Sequence, residues 1–496
     1  MTATTNFTSG TIVTSTWLNA IDASVFDYVV YARNYATGDG TTDDTTNLQV
    51  ALNAATSVVD GSGATYKITS SITIPAGITL RNANILVGTS AINAVLVNTR
   101  SKLLNVKITG TGTTGIIERG IYPAANGVTD VELVVEVTNM TVGVHAQYIT
   151  TDTEANYPKR WYGNIYIHDI VGLAANSEGY GVLLSPAQAC HFTIHAKTIA
   201  RHALYLAAGA RDNDVDITVD GCTNYAVQLY STSGQTATQY NTVKVNCKNL
   251  SESVATQSGA VAIVQKAHYN TVIVNMEGSG TTSEAVRVEG ASGGPYPLSN
   301  KIIDGNITGQ FTGADVIKLI NADSTIITNN RLDAYATAAV ISSRRTGTNG
   351  ITHGGYIYNN QINAQAQSIR GIYAEVTTVP TYIGINDIRN NGSGLRVDDS
   401  TSGKRYGYSR RITFSGTTAS ISATSSGDTT VTLSDNLQTT NRYGVVNLTG
   451  SSAQYFDKPF WSAISLAPSE TQLTFRAYNG HSAGQTFTYS GFVEGD

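Results

Sequence analysis

GVLLSPA at Gly181–Ala187, ALYLAAG at Ala203–Gly209, AVQLYST at Ala226–Thr232 and AVAIVQK at Ala260–Lys266 are four versions of one short unit. Each alternates small or apolar residues with others, the period-two signature of a strand, and each is too short for a helix. The unit returns at Gly143, Ala285, Val316, Ala339 and Gly371. A second unit interleaves with it, starting at Val131, Asn164, His191, Asp214, Asn241, Asn270, Asn300, Ser324, Gly354 and Thr381, about 28 residues apart. Self-similarity at such a period means stacked repeats that bury a common core no repeat could bury alone. Two strands per repeat over about 250 residues predict an all-β chain, a right-handed parallel β-helix of about ten coils. Successive coils should lie about 4.8 Å apart.

Turn chemistry agrees with this. Asn306, Asn330, Asn360 and Asn386 follow the second strand at spacings of 24, 30 and 26. Asparagine tolerates the left-handed conformation of a sharp corner, and stacked amides can hydrogen-bond from coil to coil. The four are therefore predicted to form a structural ladder.

Both ends of such a stack need cover, because an open end exposes unpaired backbone. Residues 41–59, TTDDTTNLQVALNAATSVV, read as that cover. Asp43 or Asp44 would cap a short helix whose apolar stripe is Leu48, Ala51, Leu52 and Ala55. From about Ser400 the repeat gives way to ASISATSSGDTTVTLSDNL and TQLTFRAYNGHSAGQTFTYSGFV, which read as antiparallel strands of a small β-sandwich-like domain. The predicted divisions are residues 1–30, 31–62 with the capping helix, 63–400 for the β-helix and 401–496 for the C-terminal domain.

Composition excludes several functions. Charged residues make up 14%, and the net charge is −5 without a basic stripe, so the footprint of a nucleic-acid binder is missing. No run of 18 apolar residues supports a membrane span. Residues 1–10 lack the charged and apolar regions of a signal peptide, so synthesis in the cytoplasm without export is expected. Cys190, Cys222 and Cys247 are odd in number and have no CxxC spacing, so they are predicted to be buried thiols, not disulfide or zinc ligands. The acidic run Asp212, Asp214, Asp216 and Asp220 lacks the glycine and terminal glutamate of a calcium loop. No metal or cofactor is expected.

YARNYATGDGTTDDTTNLQVALNAA at Tyr31–Ala55 resembles the opening segment of the pectate-lyase-like β-helix superfamily, with GDGTTDDTTNLQVAL at Gly38–Leu52 the specific part. Ala32–Ala36 departs from that superfamily's usual aspartate–phenylalanine–glycine start. SGTIVTSTWLNAID at Ser9–Asp22 is similar to a short adaptor found in bacteriophage tail spike proteins. The tail spike resemblance implies a homotrimeric virion protein, joined to the phage tail or to another spike through its N-terminus. It also implies that the chain binds and cuts a bacterial surface polysaccharide, capsule or O-antigen.

Candidate site residues come from the outward positions of the strands. Alternation places Tyr205, Gln228, Arg287, Lys318 and Tyr373 in one column, and Ser185, Tyr230, Glu289 and Glu375 in the next. Tyrosine offers a sugar both an apolar plane and a hydroxyl. Glu284-Ala-Val-Arg287-Val-Glu289 aligns with Asp315-Val-Ile-Lys318-Leu-Ile320, so Glu284 and Asp315 should be neighbours one coil apart. Glycoside hydrolysis needs two carboxyls flanking the scissile bond. The predicted catalytic carboxyls are Glu284, Glu289 and Asp315. Arg287, Lys318, Tyr205, Tyr230, Tyr373 and Trp161, the last in the long insertion Asp152–Gly163, are the predicted sugar contacts. Glu375 shares the face about three coils away.

A different chemistry remains open. His168 and His195 are expected on adjacent coils, with Tyr166 above Thr193 and Asp216 beside Lys244. His and Tyr could act as base and acid in β-elimination of a uronate whose carboxylate Arg201 or Arg211 neutralises. A non-catalytic receptor-binding spike is the third reading.

Overall fold

The computed structural model describes residues 29–173, 179–251, 257–344, 354–364, 370–375, 381–384 and 386–390, and the backbone of several strands between 397 and 495. The adaptor-like Ser9–Asp22 lies outside the described residues. The chain divides into two compact units, Met1–Ser258 and Gly259–Asp496.

In both units the strands stack in parallel, coil upon coil, as a right-handed parallel β-helix. In the first unit Val95, Ile121, Val144, Val182, Leu204 and Val227 form one inward pile at successive positions of the ladder, each fully buried. The second unit repeats the device with Val261, Val286, Ile317, Ile341 and Ile372. Burying each such side chain stabilises by about 1.5–3 kcal/mol, and only stacking achieves it.

The capping helix runs Thr45–Ala54 and buries Leu48, Ala51 and Leu52. Asp44 occupies the cap position, but its carboxylate accepts the N–H groups of Thr37 (2.7 Å) and Gly38 (2.9 Å), fastening the preceding loop. Asp43 instead accepts the Thr45 N–H at 3.0 Å. The helix covers backbone chemically as well as sterically. The Gln49 amide donates to Thr73 O (3.0 Å) and accepts from Thr73 N (2.7 Å), taking the place of a neighbouring strand.

Corners follow a rule. In the first unit Arg100, Asp130, Arg160, Ala189, Asp212 and Tyr240 all have positive φ, and each is followed by a buried residue: Ser101, Val131, Trp161, Cys190, Asn213 and Asn241. Among these, Cys190 N donates to Asn213 Oδ1 (3.0 Å), and Asn213 Nδ2 donates to Asn241 Oδ1 (2.8 Å). In the second unit Asn329 and Asn359 take the positive φ, and Asn330, Asn360 and Asn386 form the amide ladder behind them with 3.0 Å bonds. The predicted ladder is thus corrected twice. The left-handed residues Asn329 and Asn359 precede Asn330 and Asn360 rather than coinciding with them, and Asn306 is not a member. Gly305 stands at the ladder position, its N–H donating to Asn330 Oδ1 at 3.0 Å, while Asn306 is exposed. A side chain at Gly305 would meet Val274 O at 2.6 Å, which leaves no room for asparagine.

Late in the second unit, Arg410–Thr417, Phe487–Gly495 and Arg442–Gly450 form one three-stranded antiparallel sheet. Ser426–Thr432, Gln472–Tyr478 and Ile464–Leu466 form another. The change from parallel to antiparallel pairing falls where the repeat ends in the sequence. Among the described residues no helix is long and apolar enough to cross a membrane.

Candidate functional site

In the second unit, the strands Val286–Glu289, Asp315–Ile320, Ala339–Arg344 and Arg370–Ala374 lie side by side. Their register puts Arg287, Lys318, Ser342 and Tyr373 in one outward column. Arg287 is the hub. Its Nη1 donates to Glu284 Oε1 (3.0 Å) and its Nε to Glu289 Oε2 (2.5 Å). Glu284 and Arg287 are largely buried, whereas the Glu289 side chain is 33% exposed. Ala285 N donates to Val316 O (2.8 Å), so Glu284 and Asp315 occupy matching positions one coil apart, about 4.8 Å between backbones.

Asp315 is fully buried, and its Oδ1 accepts from Arg344 Nη2 at 2.9 Å. Its Oδ2 is buried without a hydrogen-bond partner among the described residues. A stranded acceptor of this kind is costly and marks a place where another polar group belongs. Arg344 and Arg370 both approach the Tyr373 ring, 5.0 and 4.9 Å from its centroid. Lys318, half-buried within its column, has no ion pair among the described residues. Sequence reasoning missed Arg344 and Arg370. The register that pairs Ile320 with Arg344 and Ala339 with Arg370 is the signal that finds them. Glu375 is bonded through its backbone to Ser343 and is exposed.

The first unit distributes the other predicted contacts differently. Tyr205 and Tyr230 are neighbours, with ring centroids 6.5 Å apart, but Tyr205 also packs against Tyr180 (5.2 Å) and His202 (5.6 Å). Tyr205 is thus a half-buried member of an aromatic cluster, and burial pushes its phenol above the ordinary range. Trp161 overturns its expected role. It is fully buried, and its indole N–H donates to Val128 O at 3.0 Å. Arg160 takes the left-handed corner, so the residue after it turns inward and presents no face to a sugar.

On the other sheet of this unit, Asn84, Lys107, Glu136, Tyr166 and His195 form one column across five strands. With Asn105 and Asn164 they line an open groove of about 380 Å³. Lys107 pairs with Glu136 at 2.6 Å, and His168 bridges Glu136 (3.1 Å) and Asp169 (2.7 Å). Tyr166 is 41% exposed and lies opposite His195. The expected alignment is therefore off by two residues: His168 faces Lys197, and Thr193 faces Asn164. Asp216 does lie beside Lys244, at 3.2 Å. Arg211 is held by Glu154 (2.9 Å) and Asp212 (3.3 Å), and Arg201 donates to Tyr180 Oη at 3.0 Å.

Comparison with known proteins adds three findings. A family model described as the N terminal extension of bacteriophage endosialidase matches residues 36–84, the segment that holds the capping helix. The fold is similar to the Pseudomonas phage phi297 tailspike gp61, with a TM-score of 0.61 and 11% identity over 95% of this chain and 100% of that one. It is similar to the tailspike gp49 of Pseudomonas phage LKA1, with a TM-score of 0.50 and 13% identity over 94% and 99%. It is also similar to the Gp54 tailspike of Acinetobacter baumannii bacteriophage AP22, solved in complex with A. baumannii capsular saccharide, with a TM-score of 0.50 and 11% identity over 95% and 97%. At these identities the likeness is one of fold. No curated protein matches by sequence.

Proposed function

We propose that the chain is a phage tail spike depolymerase, carried on the virion as a homotrimer, that binds and hydrolyses a bacterial surface polysaccharide. The observation that carries this reading is the cluster around Arg287. Arg287 joins the part-exposed carboxylate of Glu289 to the buried carboxyl of Glu284, with Lys318 next to it in the outward column and Asp315, bonded to Arg344, one coil from Glu284. The fold likeness to tailspikes, one of them complexed with a capsular saccharide, supports the substrate class. The match at residues 36–84 supports attachment to the phage through the N-terminal end.

In this mechanism Glu289, oriented by Arg287, either takes a proton from the water that attacks the anomeric carbon or attacks that carbon itself, while a protonated second carboxyl gives its proton to the departing glycosidic oxygen. Glu284, bonded to Arg287, serves as the second carboxyl; Asp315, expected to be catalytic from the sequence, is fully buried and braces Arg344 instead. Lys318 and Arg370 orient acidic or hydroxylated sugars, and Tyr373 contributes ring surface. A second reading rests on one observation: Tyr166 and His195 adjoin in an open groove, an arrangement suited to a lyase.

The test is digestion of a panel of capsule and O-antigen polysaccharides, following chain length, reducing ends and unsaturated-uronate absorbance. Shortening with new reducing ends, no unsaturation and a rate loss of roughly 100-fold or more in Glu289→Gln is the expected result. Unsaturated products would refute hydrolysis and move the chemistry to Tyr166 and His195. Binding without shortening would leave a receptor-binding spike.

A further inference from the structure

Several arginines of the first unit are matched to a carboxylate, and Arg119 is held by neutral groups instead. In the first unit Arg81 pairs with Asp60, Arg160 with Asp130 and Arg211 with Glu154. Arg119, half-buried at the start of the strand Arg119–Pro123, has no carboxylate partner among the described residues. Its neighbours are neutral. The Nε donates to His145 Nδ1 at 2.9 Å and Nη1 to Asn93 Oδ1 at 3.3 Å. The guanidinium carbon lies 5.2 Å from the centre of the Tyr122 ring, and His145 meets that ring edge-on at 5.4 Å. Glu118, the preceding residue, is fully buried, and its carboxylate is taken up by Thr111 N and Oγ1.

These contacts hold the guanidinium in one orientation without neutralising it. His145 is 4% exposed; burial first, and the charge of Arg119 second, push its pKa down to about 3, which keeps Nδ1 an acceptor. Removing a cation partly from water without a counter-ion is unfavourable, and the cost is tolerated where an anion completes the site. A guanidinium has five N–H donors in a rigid fork, and the described contacts use two. The remaining donors match a carboxylate or a phosphate. The ring beneath and the two neutral acceptors remove the rotamer freedom that a surface arginine would lose on binding.

We infer that Arg119, held by His145, Asn93 and Tyr122, is a receptor for an oxyanion on an acidic glycan, a carboxylate or a phosphate substituent. This rests on the polysaccharide reading above and deepens it: the bound polymer carries negative charge. The site is built from residues of the first unit.

The experiment uses the full chain and isothermal titration with a glucuronate-containing oligosaccharide, its carboxyl-reduced counterpart, and inorganic phosphate. Arg119→Gln should weaken binding of the charged oligosaccharide roughly 10- to 100-fold, as expected for loss of charge-assisted hydrogen bonds. Arg119→Lys should retain part of the affinity, and the reduced oligosaccharide should bind both variants equally weakly. Competition by phosphate alone would assign the anion as a phosphate substituent. If Arg119→Gln does not fold, the Arg119 Nε–H resonance of the wild-type chain, followed against glucuronate and glucose, gives the answer: only glucuronate should move it. Equal binding of charged and reduced oligosaccharides overturns the inference while leaving the polysaccharide reading intact. A resonance that glucuronate moves in a chain that binds no polysaccharide would uphold the anion site and refute the polysaccharide reading. Charge-blind glycan binding together with loss of oligomer in Arg119→Gln would make a second copy the counter-ion and also overturn the inference.

Discussion

Replacing Asn360 with alanine removes the middle of the amide ladder. Its Oδ1 accepts from Asn330 N and Asn330 Nδ2, both at 3.0 Å. Its Nδ2 lies 3.0 Å from Ile327 O, Tyr358 O and Asn386 Oδ1. Asn330 and Asn360 are buried, so the alanine leaves the Asn330 backbone N–H without its acceptor, while the Asn330 amide keeps Ile302 O and Thr328 O. Net worth of about 1 kcal/mol per hydrogen bond, and about 1–3 kcal/mol for a stranded buried group, gives a total of about 3–5 kcal/mol. Stacked coils of this size are expected to unfold irreversibly, so the quantity to measure is a rate. If the ladder is broken in the rate-limiting step, about 3 kcal/mol speeds unfolding roughly 150-fold. The assay is the loss of β-sheet circular dichroism in guanidinium, with Asn306→Ala as the control. Asn306 is exposed and outside the ladder, and its replacement should change stability by no more than about 0.5 kcal/mol. Equal unfolding rates for the two variants would refute the assignment of stability to the amides.

Two further outcomes are expected. His145 and His202 are buried, and burial pushes both down to about 3. The unfolded chain takes up these protons near pH 6.5, so the stability they give is complete above that pH and is lost as pH falls toward 3, at about 1.4 kcal/mol per pH unit for each histidine. His202→Gln should flatten the pH dependence of the logarithm of the unfolding rate by up to one proton between pH 6 and 4; an unchanged slope would refute the burial argument. Trp161→Phe should cost about 1–3 kcal/mol, from a lost buried hydrogen bond and lost volume, while leaving glycan affinity per folded molecule unchanged. An affinity loss above tenfold would put the indole at the sugar after all.

The fold was legible because its signals are local. Alternation is a property of neighbouring residues, and it marks the inward pile from Val144 to Val227 without knowledge of any distant partner. The capping helix was legible for the same reason, through Leu48, Ala51 and Leu52. The asparagines show where that legibility stops. Asn306, Asn330, Asn360 and Asn386 have similar spacings, yet the first lies one residue beyond the ladder position. Only the approach of Val274 O to Gly305 explains why the ladder begins one coil later. Trp161 misleads similarly. A tryptophan in a long polar insertion looks exposed, but the left-handed Arg160 before it turns it into the core.

The site was legible as an address and not as chemistry. Arg287 and Lys318 share a column as the alternation requires, and Glu284 lies one coil from Asp315. What each carboxylate does depends on the coil above or below: Asp315 is bound to Arg344, 29 residues later. Coil length decides which residues meet, and it varies. From Tyr162 to His191 the step is 29 residues, and from His191 to Asp214 it is 23. An error of two residues in that step leaves every side chain on the same face but changes its partner. For this reason spacing alone sets His168 beside His195, when Tyr166 is the residue there. On a β-helix, strand phase fixes whether a residue reaches the surface, and loop length fixes its chemistry. The outward column of Asn84, Lys107, Glu136, Tyr166 and His195 therefore emerges only once the register is known, although alternation already marks each member as a surface position.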